Sequence, residues 1–241
     1  MGVEPKPYKK RPGEMTSEEI DEMISKTKVY AEDELYLMDN WDEYAHTLDE
    51  NDMSEFARKE MMQVREEREL YAITTDLLRK IKDQYRLNWH GTHGVDHWHR
   101  VYMNGIRLAT QDGVNARVVQ LFSVFHDACR WNEHWDPNHG KRGAELARIL
   151  RKYCPLDDEE FNLLTIACEL HTKAKDHDSS TVQACFDADR LDLGRVGNYP
   201  DPDLLCTSMA KEQKIIEWGY NRSLTENELP DQPFGLRDYW D

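Results

Sequence analysis

The chain has 241 residues, of which 39% are hydrophobic and 32% are charged, and its formal net charge at pH 7 is −16. This length suits one large domain or one domain with an appendage. The acidic balance argues against binding to nucleic-acid phosphates or to an anionic membrane surface, since both need clustered Lys and Arg. We find no apolar run long enough for a transmembrane helix and no signal-peptide pattern, so the sequence predicts a cytoplasmic protein.

The first third of the chain carries most of the negative charge. Residues 1–13 are rich in Pro, Gly and basic side chains and predict a flexible tail. Residues 14–84 predict an acidic helical extension of unknown role, in which Thr16-x-x-Glu19 fits a capping box. Ser54 is the expected cap of a second long helix, whose apolar stripe runs from Phe56 to Ile81. We expect the extension to pack on the rest of the chain; homodimerisation, a lid over a pocket and a protein-docking surface are the open alternatives.

From about residue 85 the pattern changes to short helices with His and Asp at their ends, while alternating strand patterns are nearly absent. The fold class is therefore predicted to be all-α, with one helical domain over 85–222 and an irregular C-terminal tail over 223–241. The predicted helices lie near 96–111, 115–130, 140–153, 157–174, 180–193 and 203–220. In the tail, Phe234, Tyr239 and Trp240 are candidates to pack back on the core.

Nine of the ten His lie between residues 90 and 177, and several follow apolar runs directly. His126 and Asp127 end the run FSVF, and the segment DADRLD, residues 187–192, follows the apolar stretch VQACF. Imidazole and carboxylate groups together suit first-row metals that keep a coordination position open for water. A single such group is more often a core His or a helix cap. Three His/Asp clusters at helix ends favour a shared pocket.

The pattern His97-x-x-Arg100-Val101, then His126-Asp127, then Ala188-Asp189-Arg190-Leu191 resembles the HD-domain superfamily. Its members are all-helical, metal-dependent enzymes, mostly phosphohydrolases, and the order H…HD…D is their signature. The resemblance covers about residues 90–212 and looks like a small bacterial group within the superfamily. It implies an HD-domain helical bundle preceded by the N-terminal helical extension.

The resemblance also implies the metal ligands. His97, His126, Asp127 and Asp189 would hold one divalent ion (Mn, Fe, Mg, Ni or Co), with Asp127 in a central position from which it can bridge to a second ion. Two further His complete a second site in the two-metal members of the superfamily, and the candidates are His139 and His171. Either of these two could instead contact the phosphate of the substrate or act in catalysis together with Asp127.

Substrate binding is predicted for the guanidinium groups that match phosphate oxygens, and for one further His. The predicted contacts are Arg130, Arg142, Arg190 and His93. Arg130 is also a candidate catalytic residue, standing where nucleotide-hydrolysing HD enzymes often have a Glu that serves in acid–base chemistry. Glu133, Asp136 or Asp192 could take that role here, and Arg190 could instead form a salt bridge between helices.

The function predicted from the resemblance is that of a metal-dependent phosphohydrolase. It would act on a small phosphorylated substrate, a nucleotide or a phosphometabolite, through a water activated by the metal. One alternative is a di-iron oxygenase of the HD type, which uses the same kinds of ligand. A second alternative is a non-enzymatic partner-binding protein on an HD scaffold.

Overall fold

The computed structural model describes residues 72–225, together with Phe234 and Leu236. Within these residues the chain forms seven α-helices and three short 3-10 turns, and no strand occurs among them. The predicted all-α fold class is therefore confirmed for this part of the chain. The predicted tail over 1–13, the capping box at Thr16 and most of the acidic extension lie outside the described residues.

The helices, numbered from the first one described, follow each other through short connections. They are α1 Thr75–Gln84, α2 Val95–Leu108, α3 Ala116–Phe125, α4 His139–Ile149, α5 Asp158–Leu170, α6 Ser180–Arg190 and α7 Gln213–Thr225. The 3-10 turns are Arg151–Tyr153, Leu193–Val196 and Pro202–Leu204.

Helix α3 lies at the centre of the bundle. Its sequence is mostly apolar, and each residue from Val118 to Phe125 is buried, including Gln120 and Ser123. A helix that is hydrophobic all round needs neighbours on all faces, and α3 packs against α2, α4, α5 and α6. The C-terminal end of α3 therefore lies in the interior of the bundle, and His126 follows it directly.

Short polar signals in the sequence determine where several helices begin. Thr74 and Asn115 each accept a hydrogen bond from the backbone N–H three residues on, at 3.2 and 3.1 Å, at the starts of α1 and α3. Asp157 and Glu160 form a reciprocal capping box at the start of α5. Such caps satisfy N–H groups that have no partner inside the helix.

Two glycines let α4 approach its neighbours closely. A Cβ atom at Gly140 would collide with the carbonyl oxygen of Cys168 in α5, and one at Gly143 would collide with that of Phe125 in α3. Since no other residue lacks a Cβ, these positions bring the start of α4 against the C-terminal ends of α3 and α5. The three helix ends meet at the candidate site described below.

The six helices predicted after residue 85 agree in number and order with α2 to α7, but two of the predictions are wrong in position. The predicted helix over 115–130 ends at Phe125, because residues 126–129 form turns. The helix predicted over 203–220 begins only at Gln213. The carboxylate of Asp187 accepts hydrogen bonds from the backbone N–H groups of Cys206 and Thr207, at 2.7 and 2.8 Å, and holds this segment in a non-helical path.

The long helix predicted to begin at Ser54 also differs from the structure at its C-terminal end. The predicted stripe placed Leu77, Leu78 and Ile81 on the same helix as Phe56. These three side chains are buried in the core, as predicted, but they belong to α1, which has its own cap at Thr74. Residues 72–74 are not helical, so the predicted helix is not continuous through them.

Phe234 is fully buried and packs its ring against His99 and Tyr102, with ring centroids 5.4 and 5.5 Å apart. This confirms its predicted return to the core, while Tyr239 and Trp240 lie outside the described residues. Within 72–225, no helix combines the length and the apolar character that crossing a membrane requires. The domain boundaries at 13, 84 and 222 stay predictions.

Candidate metal centre

Five helices bring His and Asp side chains to one buried place. The side chains stand in the first turn of α2, directly after α3, at the start of α4, directly after α5 and in the last turn of α6. In that order they are His97, His126 with Asp127, His139, His171 and Asp189. The structure therefore brings together all six residues that the sequence predicted as metal ligands. Along the chain they span more than ninety residues.

The six side chains divide into two groups of three, and each group could hold a metal ion. One group is His97, His126 and Asp189; the other is Asp127, His139 and His171. Within each group the possible ligand atoms lie within 4.8 Å of one another. Five of the six residues are buried, and the side chain of Asp189 is 18% exposed. The centre thus reaches solvent mainly on the side of Asp189.

Asp127 joins the two groups through its two carboxylate oxygens. Its Oδ1 lies 3.0 Å from His139 Nε2 and 4.0 Å from His171 Nε2. Its Oδ2 lies 3.7 Å from His97 Nε2 and 3.8 Å from His126 Nε2. A carboxylate with one oxygen directed at each group is the arrangement that a bridging ligand between two ions requires.

The four imidazoles are held in the same tautomer. A neutral imidazole carries its proton on one nitrogen only, and each Nδ1 here faces an oxygen that accepts. The pairs are His97 with Asp192 Oδ2 at 2.7 Å, His126 with Ser123 O at 3.0 Å, His139 with Asp136 O at 2.5 Å and His171 with Cys168 O at 2.8 Å. The proton therefore lies on Nδ1, and the lone pair lies on Nε2 and points into the centre.

These lone pairs face each other at short range. The Nε2 atoms of His97 and His126 are 3.1 Å apart, and those of His139 and His171 are 2.9 Å apart. Two ligand nitrogens at ~2.1 Å from one ion would lie roughly 3.0–3.4 Å apart. Protonating His97 or His171 would relieve this repulsion, but it is disfavoured. Burial lowers the pKa of His97 well below its usual range and lowers that of His171 to about 4. A cation between the rings removes the repulsion, so the residues fit a metal ion.

The two carboxylates of the centre are ionised. Burial opposes this, but the charges of His126 and His139 in their protonated forms, together with that of Arg130, outweigh it and hold the pKa of Asp127 well below its usual range. With the rings neutral, Arg130 Nη1 remains 3.3 Å from Asp127 Oδ1. For Asp189 the burial effect is likewise outweighed, by Arg195 and by the imidazoles of its group when they are protonated, and its pKa is lowered to about 2. Asp189 Oδ1 is buried without a hydrogen-bond partner in the described part of the chain. An orphaned carboxylate oxygen beside two imidazole lone pairs is a second observation that fits a cation.

Asp192 supports the centre from behind. Its carboxylate accepts from His97 Nδ1 and from Arg100, whose Nε and Nη2 lie 2.7 and 3.2 Å from its two oxygens. It is fully buried, and a buried carboxylate needs such partners. Asp192 therefore orients His97, while its predicted role as an acid stays a prediction.

His93 lies beside the centre and is paired with Glu133. Its Nδ1 is 2.5 Å from Glu133 Oε2, and its ring centroid is 6.3 Å from that of His97. A Cβ atom at Gly91 would collide with the carboxylate of Glu133, so this glycine makes room for the pair. Burial lowers the pKa of His93, which favours a neutral ring with Nδ1–H donating to Glu133 and Nε2 available as an acceptor.

Arg130 is in contact with the centre and is also committed to its own loop. Its Nη1 lies 3.3 Å from Asp127 Oδ1 and almost equally far from the two ring nitrogens of His139, at 3.2 and 3.3 Å, which places the guanidinium over the ring face. Its Nη2 donates to His134 O at 2.7 Å. Arg130 therefore positions Asp127 and fixes the loop; its predicted contact with a substrate phosphate stays a prediction.

Arg142 and Arg190 use most of their N–H groups inside the fold. Arg142 donates to Cys129 O at 2.9 Å and pairs with Asp136 at 2.5 Å. Arg190 donates to three backbone carbonyl oxygens at 2.6, 2.7 and 2.9 Å, in the loops on either side of α6. Both hold loops in place, and phosphate binding by either stays a prediction.

Sequence reasoning missed Arg195. It lies in the 3-10 turn after α6, with Nη2 3.5 Å from Asp189 Oδ1 and Nη1 donating to the backbone oxygen of Asp192 at 3.0 Å. The available signal was its spacing, three residues after Asp192, which puts the two side chains on one face of a helical turn.

A comparison of the chain with protein-family models, with curated proteins and with solved structures finds no match.

Proposed function

We propose that the chain is a metal-dependent phosphohydrolase of the HD-domain type, acting on a small phosphorylated substrate such as a nucleotide or a phosphometabolite. The observation that carries the proposal is the pair of buried His/Asp triads joined by the two oxygens of Asp127. The order of these residues along the chain follows the pattern H…HD…H…H…D, which the resemblance to two-metal HD enzymes implies.

The donor set consists of four imidazoles and two carboxylates and suits two divalent ions. Imidazole-rich sites favour transition metals such as Mn, Fe, Co or Ni over Mg, which prefers oxygen ligands. When bound, such ions would supply Lewis acidity toward a phosphoryl group and activate a water near neutral pH. Asp189 is partly exposed, so a substrate would reach the two ions from the side of Asp189.

The charge of the centre is balanced before any ion binds. Three carboxylates face three guanidiniums: Asp127 contacts Arg130, Asp189 contacts Arg195, and Asp192 contacts both Arg100 and, at 3.7 Å, Arg195. The imidazoles add no charge when neutral. Two divalent ions would therefore bring positive charge that no side chain of this set compensates, and a buried charge requires a partner. A doubly negative phosphate ester supplies that partner, which favours a phosphorylated substrate.

The side chains of this site would hold the substrate and guide protons without large movements. The Nδ1–H groups keep the four rings in orientation, and Arg130 keeps the Asp127 carboxylate between the two triads. His93, fixed by Glu133, has Nε2 free to accept a hydrogen bond or a proton from a substrate hydroxyl. We retain its predicted role in substrate binding.

Metal analysis followed by a phosphate-release screen tests the proposal. We expect about two transition-metal ions per chain and release of phosphate from a nucleotide or phosphometabolite with Mn, Co or Ni. Asp127→Ala should abolish release, because it removes a ligand from both triads. His134→Ala is the matched control, since His134 is exposed on the neighbouring loop and its side chain has no part in either triad.

The same measurements separate the alternatives. Two irons with a mixed-valent signal and oxygen consumption, without phosphate release, would favour the di-iron oxygenase. If His126→Ala removed no metal, and the wild type acted on no substrate of the panel, the non-enzymatic reading would replace both enzymes.

A further inference from the structure

Arg195 has donor groups that the fold leaves unused. Its side chain is only 8% exposed. Nη1 donates one hydrogen bond, to Asp192 O, and Nη2 stands 3.5 Å from Asp189 Oδ1, farther than a well-formed hydrogen bond. Nε is buried and has no hydrogen-bond partner among residues 72–225. Nη1 also lies 3.7 Å from Asp192 Oδ2. A guanidinium carries five N–H donors, so Arg195 has donors without an acceptor at hydrogen-bond distance in the described part of the chain.

This pattern differs from that of the three arginines that the sequence singled out. Arg130, Arg142 and Arg190 donate to backbone carbonyl oxygens of nearby loops. The Nε–H and the outer Nη2–H of an arginine point the same way and form a fork that matches two oxygens of a phosphate. On Arg195 this edge makes no well-formed hydrogen bond to the described residues, and its Nη2 lies 3.5 Å from Oδ1 of Asp189, a predicted metal ligand.

A cavity of about 350 Å³ lies against Arg195. Its wall includes Thr92 from the loop before α2, Asp96 and Arg100 from α2, and Leu224 from α7. The volume falls in the range of sites for small molecules. Because Arg100 and Arg195 also contact carboxylates of the metal centre, the cavity and the centre share part of one wall.

We propose that Arg195 and this cavity bind the substrate: the Nε/Nη2 edge of Arg195 binds phosphate oxygens beside Asp189, and the cavity holds the organic part of a phosphate monoester. The inference rests on the proposed function and specifies its substrate class. The cavity wall is mainly polar, with a hydroxyl at Thr92 and charged groups at Asp96 and Arg100. The organic part is therefore hydroxylated, as in a sugar phosphate, and not an acyl chain.

Direct binding of inorganic phosphate tests the role of Arg195 without reference to turnover. Calorimetric titration would compare the Mn²⁺-loaded wild type with Arg195→Gln and Arg195→Lys, with the metal content of each protein measured. Loss of a charge-assisted fork should weaken phosphate binding by roughly 10- to 100-fold in Arg195→Gln. Arg195→Lys keeps the charge without the fork and should fall between. Arg148→Gln removes an exposed arginine of α4 and should leave the Kd within about twofold, since exposed ion pairs matter little.

Three outcomes would overturn the inference. One is an unchanged phosphate Kd in Arg195→Gln, and another is no phosphate binding by the wild type. The third is loss of metal in Arg195→Gln and Arg195→Lys alike, which would make Arg195 a support for Asp189. If the phosphate Kd is unchanged in Arg195→Gln and the wild type still releases phosphate from esters, the role of Arg195 is refuted and the proposed function is not. Phosphate binding that depends on Arg195, without hydrolysis of any ester, would refute the hydrolase and leave the binding site.

A variant that fills the cavity tests its proposed occupant. Thr92 is exposed on a loop, so Thr92→Tyr should fold normally while its ring occupies the cavity. The wild type should bind ribose 5-phosphate more tightly than inorganic phosphate, and Thr92→Tyr should remove most of this advantage without changing the Kd for phosphate. Equal affinity for the two ligands in the wild type, or an unchanged advantage in Thr92→Tyr, would show that the cavity does not hold the organic part.

Discussion

Replacing His139 with Ala should remove one of two metal ions and leave the other. The variant loses an Nε2 ligand from the triad of Asp127, His139 and His171, whose atoms are close together: His139 Nε2 is 2.9 Å from His171 Nε2 and 3.0 Å from Asp127 Oδ1. The other triad keeps His97, His126 and Asp189. It also keeps Oδ2 of Asp127. The metal content should therefore fall from about two ions per chain to about one.

The size of the effect follows from linkage. A metal present at 100 times its Kd stabilises the folded state by about 2.7 kcal/mol, and two independent ions stabilise it by about 5 kcal/mol. For a chain of this size, 1 kcal/mol corresponds to ~2–4 °C in the unfolding temperature. Metal should therefore raise the Tm of the wild type by roughly 10–20 °C and that of His139→Ala by roughly half as much.

The assay is thermal unfolding with Mn²⁺ and with EDTA, combined with metal analysis after desalting. Comparing the metal-induced shift within each protein removes the direct effect of the substitution on stability. His134→Ala is the matched control on the same loop, because the imidazole of His134 is exposed and only its backbone oxygen is used, by Arg130. It should keep both ions and the full shift.

Two results would refute the reasoning about separate triads. If His139→Ala still bound two ions with the wild-type shift, His139 would not be a ligand. If it bound none, the two positions could not be filled independently, and the division into two groups of three would be wrong.

Three further predictions concern the metal-free fold. Burial lowers the pKa of His171 to about 4, so the unfolded ring binds a proton that the folded ring does not, and stability falls as pH falls from about 6.5 toward 4. Urea unfolding in EDTA should show about 2 kcal/mol lost between pH 7 and pH 5 from this ring, and His171→Asn should reduce the loss. Asp192→Ala should lower the unfolding free energy by about 3–5 kcal/mol in the same assay, because it removes the buried carboxylate that pairs with Arg100. Gly143→Ala should destabilise by ~1–3 kcal/mol in thermal unfolding, because the new Cβ would collide with the Phe125 carbonyl, whereas the same change in an unobstructed helix stabilises.

Each of these has a result that contradicts it. Equal pH dependence in the wild type and His171→Asn would mean that the ring is not held neutral. A loss under about 1 kcal/mol for Asp192→Ala would show that Arg100 finds another acceptor. Stabilisation by Gly143→Ala would show that α4 can move away from α3, and that the close approach of the two helices is not required.

The place of the centre in the fold was predictable from one helix. Helix α3 is mostly apolar, with only Gln120 and Ser123 as polar residues between Val118 and Phe125, so it is expected inside the bundle. A polar pair directly after it is then expected in the interior as well. A buried His next to a buried Asp needs partners, and the other His and Asp at helix ends were the available ones. This reasoning needs only burial and helix ends, and both follow from local sequence.

The roles of the arginines were not predictable in the same way. Arg130, Arg142 and Arg190 each follow or precede a predicted ligand, as a phosphate contact would. Their donors nevertheless go largely to carbonyl oxygens of loops. Which carbonyls point at a guanidinium depends on the path of the loop, and that path depends on contacts such as those of Asp187 with residues 206 and 207. Long-range contacts of this kind leave no periodic signal in the sequence.

The segment DADRLD shows how much helical spacing alone can decide. Successive residues of a helix are rotated by about 100°, so residues two apart point in nearly opposite directions, while residues three apart share a face. Asp187 and Asp189 therefore could not both enter the centre. Asp189 faces His97 and His126, whereas Asp187 turns away to hold residues 206 and 207. Asp192, three residues after Asp189, returns to the same side and binds His97 from behind. Arg195, again three residues on, extends this face from the metal centre to the cavity. The pairing of Asp189 and Asp192 with Arg195 and the proposed substrate site therefore come from one short stretch of chain.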